Sequence, residues 1–288
     1  MTQPPAGPAA VPVRHPWRWV SGGVIAVLTA MFVHMLVTND AFQWDFMIHQ
    51  MFRPPVRNGA LGTVEITVLS MVIGVVGGTV LAIMRLSPSK LISGVAWTYV
   101  WFFRAVPRLV LVILFANFGI LYPKFFFGLP FDHQLLSLFG LGGADARLFG
   151  VDSRTIGSGF VAAVLALGMS EAAYMAEIVR AGIGSIDSGQ REAAASLGMP
   201  RMLTMRRIVL PQATPVIIPP TGNETIAMLK DTSLVAFAPY SHELFFQLQA
   251  IGARTFQIFP LLIAACLWYL AISSVLMLGQ FFLERKFA

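Results

Sequence analysis

Residues Ser185 to Pro211 read SIDSGQREAAASLGMPRMLTMRRIVLP. The stretch is too polar to lie in lipid, and its punctuation is that of two short helices. Asp187 and Gln190 have the spacing of a capping box, an acceptor at the N-cap with an amide three residues on. Gln190–Leu197 is made largely of good helix formers. Gly198 then supplies a residue able to take positive φ just past a helix end. Pro200 suits the first position of a second helix, and Pro211 is expected to stop it. Two short helices joined at a glycine elbow, with long apolar runs on either side, make a connector between membrane spans.

The flanking runs cover about residues 157–180 and 212–237; four more lie at about 19–37, 62–84, 94–120 and 256–282. A bilayer core about 30 Å thick needs about 20 mostly apolar residues in a helix. In lipid the backbone must satisfy its own hydrogen bonds, which favours helices. The period-2 alternation of a membrane barrel is absent. Composition agrees: 56% of the 288 residues are hydrophobic and 12% charged, against about 25% charged in soluble domains, and the mean hydropathy is +0.72. The expectation is an all-α polytopic membrane protein of about six transmembrane helices.

A net charge of +6 and a pI near 9.9 invite a nucleic-acid reading. The cations, however, lie mostly between apolar runs, where they set orientation in a membrane. With the N-terminus inside, Arg14, Arg18, Arg85, Lys90, Arg180, Arg191, Arg201, Arg206, Arg207, Arg285 and Lys286 fall on the cytoplasmic side. Arg53, Arg57, Lys124, Arg147, Arg154 and Arg254 fall outside, together with Asp40, Asp45, Asp132, Asp145, Asp152 and Glu243. The bias places both termini in the cytoplasm and the Ser185–Pro211 connector beside them.

Residues 1–18 read as a disordered tail rich in Pro and Ala. The run at 19–37 is too long for a signal-peptide core and lacks an A-x-A site, so it is read as a first membrane helix. The single cysteine, Cys266, lies within an apolar run and permits no intrachain disulfide. His34 and His49 have no partner at metal-ligand spacing. Aromatics at Phe125–Phe127 and Phe281–Phe282 suit interfacial anchoring. No internal repeat is visible, and the outer loop at about 121–156 is the longest.

The connector resembles the EAA motif of ABC-importer permeases. Glu192, Ala193 and Ala194 are followed by Gly198 and then by Ile208, Leu210 and Pro211 at the family spacing. Further segments are similar to the polar-amino-acid subfamily: Phe102-Phe103-Arg104 with Pro107, Ala173-Tyr174 with Glu177, Arg180 and Gly182, then Pro211-Gln212-Ala213, Pro219-Pro220, Asn223-Glu224 and Lys230-Asp231-Thr232-Ser233-Leu234. The likeness spans roughly residues 58–285 and defines a permease core at 58–288, with the coupling loop at 185–211 and the helix at 19–37 outside it. Ala105-Val106, Ala181 and Asp187 depart from the usual pattern.

The resemblance implies a prokaryotic inner-membrane subunit that moves a polar amino acid or close analogue. It implies ATPase subunits, a second permease chain and an extracytoplasmic solute-binding protein as partners, with ATP and Mg on the ATPase. No P-loop stands in this chain, so ATP hydrolysis is expected elsewhere. The docking residues implied are Gln190, Arg191, Glu192, Ala193, Ala194, Gly198, Arg206 and Arg207.

Ionisable residues at membrane depth mark functional candidates, here Glu65, Arg104, Arg108, Glu171, Glu177, Glu224, Lys230 and Asp231. Asn223 and Lys230, seven apart, share a helix face. With Glu224, Asp231, Thr232 and Ser233 they offer an acceptor for an ammonium and a donor for a carboxylate, while Pro219, Pro220 and Gly222 are expected to break the helix nearby. Arg104 and Arg108 are read on one helix face, either in the pathway or paired with acids of another span. Glu177 and Arg180 have ion-pair spacing. Two other readings stay open: a permease for another solute such as an opine, ectoine or cystine, and an ion-coupled secondary transporter.

Overall fold

The computed structural model describes residues 16–121, 124–128, 137–138, 140, 147–152, 159–238 and 240–287. The tail at 1–15, with Arg14 and His15, and the outer-loop residues Asp132, Asp145 and Arg154 lie outside them. The helices are α1 (Pro16–Thr38), α2 (Trp44–Met51), α3 (Pro54–Arg85), α4 (Lys90–Ala105), α5 (Arg108–Ala116) and the single turn α6 (Phe118–Leu121). After the strands β1 (Lys124–Gly128) and β2 (Arg147–Asp152) come α7 (Gly159–Gly184), α8 (Ser188–Ser196), the turn α9 (Arg201–Thr204), α10 (Leu210–Asp231), α11 (Leu244–Thr255) and α12 (Ile258–Phe287). β1 and β2 pair antiparallel, Lys124 opposite Asp152, as a two-stranded ribbon carrying Phe125–Phe127.

Among the described residues, four helices are long and apolar enough to cross a membrane: α1, α3, α7 and α12. A fifth span exists if α4 and α5 are counted together, but the two are bent by 99°. The single helix expected over 94–120 is therefore broken. Val106 is extended (φ −84°, ψ 129°) and Pro107 follows it, because a proline drives its predecessor out of the helical region and has no N–H to donate. Arg104 and Arg108 consequently do not share a helix face.

The opposite correction applies to 212–237. Here α10 continues unbroken through Pro215, Pro219 and Pro220 to Asp231, then tightens into a 3₁₀ segment, Thr232–Phe237. Its charges and prolines keep it below the apolar threshold that the other spans pass. Pro211 does not end the second connector helix either. Met205–Val209 form one wide π turn and Pro211 sits in the first turn of α10, where its missing N–H is least felt.

The centre of the molecule is the crossing of α3 on α7. Gly74 and Gly78 lie one turn apart on α3, and a Cβ at either would run into Glu171 Cγ or Met175 Cβ of α7. Small residues four apart let membrane helices approach closely, where dispersion rather than water exclusion holds them. Around this crossing Ile66, Met71, Leu111, Leu167 and Met228 form one buried cluster. A second cluster joins α2, α3, α11 and α12 through Met47, Leu244, Leu248 and Leu261. By contrast α1 is exposed along its length; Trp44 Nε1 donates to Leu36 O at 3.0 Å where the chain turns back.

Candidate functional site

The α4–α5 break puts Arg108 at the first position of α5, aimed at α7 and α10. Its guanidinium donates to Glu171 Oε2 at 2.9 Å and to Asp231 Oδ2, and lies 3.6 Å from Glu224. Three carboxylates from two helices thus face one guanidinium. Glu171 is fully buried, and its Oε1 has no hydrogen-bond partner among the described residues. Unpaired charge at this depth is costly, and buried polar atoms are ordinarily satisfied, so an acid-rich centre with an open acceptor is suited to a cationic donor.

Tyr174 borders the centre. Arg108 Cζ lies 4.7 Å from its ring centroid and Arg104 Cζ 5.4 Å from the same centroid. Beyond Tyr174, Glu177 holds Arg180 at 2.6 Å, as its i, i+3 spacing suggested, and also faces Arg85 at 3.6 Å.

The face of α10 that meets the centre carries Glu224 and Asp231, also seven apart. The Asn223–Lys230 face turns elsewhere. Asn223 is exposed and accepts from Gln280 at 3.2 Å, and Lys230 is exposed. The hydroxyls of Thr232 and Ser233 bond to Leu229 O and Lys230 O, both at 2.7 Å. A seven-residue repeat offers two neighbouring faces. Arg108, 123 residues away from Asp231, selects one of them.

A second buried carboxylate, Glu243, escaped the sequence reading. It caps α11 through Phe246 N–H at 2.9 Å and accepts from Thr63 Oγ1 at 3.0 Å and Tyr269 Oη at 2.6 Å. Burial raises its carboxyl above the ordinary 4.5, while the bonds from Tyr269, the Phe246 and Phe245 backbone and Thr63 pull it back. It ties α3, α11 and α12 together. The only sequence signal was an acid three residues before Phe246, an N-cap spacing.

The Ser185–Pro211 connector is built as its residues require. Asp187 Oδ1 accepts from Gly189 N at 2.6 Å, so the cap reaches the second rather than the third amide. At the other end Met199 N donates to Ala194 O (3.0 Å) and Gly198 N to Ala195 O (2.9 Å), the paired bonds of a Schellman motif. Gly198 has φ +71°, the conformation a glycine takes without strain. Gln190, Arg191, Glu192, Ala193, Arg206 and Arg207 are exposed, and Ala194 is buried. The elbow also displays Leu197 and Met202, 82% and 78% exposed, which the sequence reading did not single out. Among the described residues no group of three or more His, Cys, Asp and Glu is placed to hold a metal.

Residues 74–288 match the family model described as "binding-protein-dependent transport system inner membrane component". The chain belongs to that family. The permease is 44% identical over 278 residues to the arginine transport system permease protein ArgU of Corynebacterium glutamicum, covering 96% of this chain and 82% of that one. It is 34% identical over 248 residues to the glutamate/aspartate import permease protein GltK of Escherichia coli O6:H1, covering 86% and 99%. A crystal structure of an amino acid ABC transporter with histidines superposes with a TM-score of 0.64 at 31% identity, over 84% of this chain and 98% of that one. The permease is thus a multi-pass inner-membrane subunit of an ABC importer, working with an ATPase and a binding protein, and is not itself an enzyme.

Proposed function

We propose that this permease of an ABC amino acid importer carries a basic amino acid of the arginine class, recognised at the Arg108 centre. The observation that carries the reading is the imbalance there: Glu171, Glu224 and Asp231 against one guanidinium, with Glu171 Oε1 open. A guanidinium or ammonium satisfies those acceptors through charge-assisted bonds, and Arg108 remains the natural partner of the substrate carboxylate. An acidic substrate meets repulsion in the same place. The likeness to the arginine permeases of Corynebacterium glutamicum and Bacillus subtilis, the latter 34% identical over 234 residues, supports this choice.

The rest of the assembly follows from the coupling loop. Exposed Leu197 and Met202 give the elbow an apolar tip, and Arg191, Glu192, Arg206 and Arg207 a charged rim, for docking on an ATPase that holds ATP and Mg. Two permease chains, identical or not, flank the pathway, and the extracytoplasmic binding protein delivers substrate. Both termini and the loop lie in the cytoplasm, with the extra helix α1 outside the core at 58–288. Rocking of packed helices driven from the loop would expose the centre alternately to each side.

The deciding experiment is uptake by the reconstituted complex with its binding protein. Labelled arginine should enter with ATP and be competed by lysine or ornithine, not by glutamate. Glutamate uptake that arginine does not compete would overturn the assignment.

A further inference from the structure

A cleft of ≈490 Å³ opens on the loop-facing side of Tyr174, lined by Arg85, Trp97, Trp101, Arg104, Tyr174 and Glu177 among others. Neither Arg108 nor the three carboxylates of the centre line it, and Tyr174 adjoins both places, with Arg108 and Arg104 each against its ring. Arg85 ends α3, Glu177 lies seven residues before the end of α7, and α7 leads directly into the coupling loop.

Its chemistry is complementary to that of the centre. Arg85 Nε is a buried donor with no acceptor among the described residues, as Glu171 Oε1 is a buried acceptor with no donor. Arg104 lies against the Tyr174 ring, its charge acts on Glu177, and its side chain is exposed. Two guanidinium groups with an open donor call for a carboxylate. Glu177 is already held by Arg180 and Arg85, so the surface left for a cation is the pair of parallel indoles of Trp97 and Trp101, whose rings lie 6.3 Å apart at 8°.

We infer that this cleft is a second amino-acid site, holding the substrate carboxylate on Arg85 and Arg104 and its cationic end against the indoles before release toward the coupling loop. The inference rests on the proposed function for the identity of the amino acid and for the first site at Arg108. The volume holds one such molecule. A substrate leaving the centre passes Tyr174, whose two arginine neighbours hand the carboxylate from Arg108 to Arg104 without leaving it unpaired in the membrane.

The test is equilibrium dialysis of the purified permease–ATPase complex in nanodiscs, without binding protein, against labelled arginine. Wild type should bind two equivalents per permease chain. Arg104→Gln should lose one while retaining the other. Trp101→Ala, which changes the wall and no charge, should weaken the same one by about tenfold or more, and it decides the matter if Arg104→Gln does not assemble. One equivalent in wild type that Arg104→Gln leaves intact, or two of unchanged affinity in both variants, would overturn the second site, whereas a single equivalent that Arg104→Gln removes would overturn the Arg108 centre instead. If instead labelled glutamate or cystine binds at two equivalents, and Arg104→Gln removes one, the arginine assignment falls and the second site stands.

Discussion

At the residue scale, one guanidinium organises the centre. Removing a partner from a buried charge pair costs roughly 3–5 kcal/mol when burial is complete. Asp231 is only half-buried, so a smaller loss is expected. Asp231→Asn or Glu224→Gln should lower the rate of substrate uptake by about 10-fold, equivalent to about 1.4 kcal/mol. Lys230→Ala, whose side chain is exposed on another face, should stay within about twofold. Equal losses in all three, measured at matched membrane levels, would mean that α10 acts by its charge as a whole.

Gly198 belongs to the same scale. No atom lies within 4 Å of where its Cβ would stand, so Gly198→Val meets no clash, only the left-handed backbone at φ +71°, worth roughly 1–2 kcal/mol. The variant should insert normally yet lose the Schellman elbow. Co-purification of the ATPase should weaken and uptake fall. Full ATPase recovery with normal uptake would remove the elbow from the docking account.

At the element scale, two contacts hold helices in register. Gly74 is where α3 admits Glu171, so Gly74→Leu overpacks the crossing at a cost of about 1–3 kcal/mol. Thermal unfolding in detergent should show a drop of several degrees, while Gly94→Leu, in open space on α4, should not. The Glu243 latch gives a pH signature. Its carboxyl titrates above 4.5 in the folded protein, so the folded state holds the proton more tightly than the unfolded one. Stability is therefore full below 4.5 and declines as pH rises from there through the raised value. Glu243→Gln should flatten that part of the melting-temperature profile, and a profile unchanged by the substitution would place the titration elsewhere.

At the scale of the whole molecule, orientation is testable directly. A reporter active only outside the cell should be silent after Ala288 and active when inserted in 121–156; a silent loop fusion would invert the map and place the coupling loop on the wrong side. The sequence by itself was enough for the membrane class, four of the spans and the elbow. Each of these is local: an apolar run of bilayer length, a cap, and a glycine with no Cβ to strain. Only the tertiary structure decided the rest. Pro107 stands at a break whereas Pro215, Pro219 and Pro220 lie within the continuous α10, which packs against α3, α7 and α12. Which of two adjacent faces of α10 turns inward was settled by Arg108, and the burial of Glu243 by Thr63 and Tyr269, through contacts across many intervening residues. Periodicity is a property of one helix, but facing is a property of a pair, and no single stretch of chain carries it.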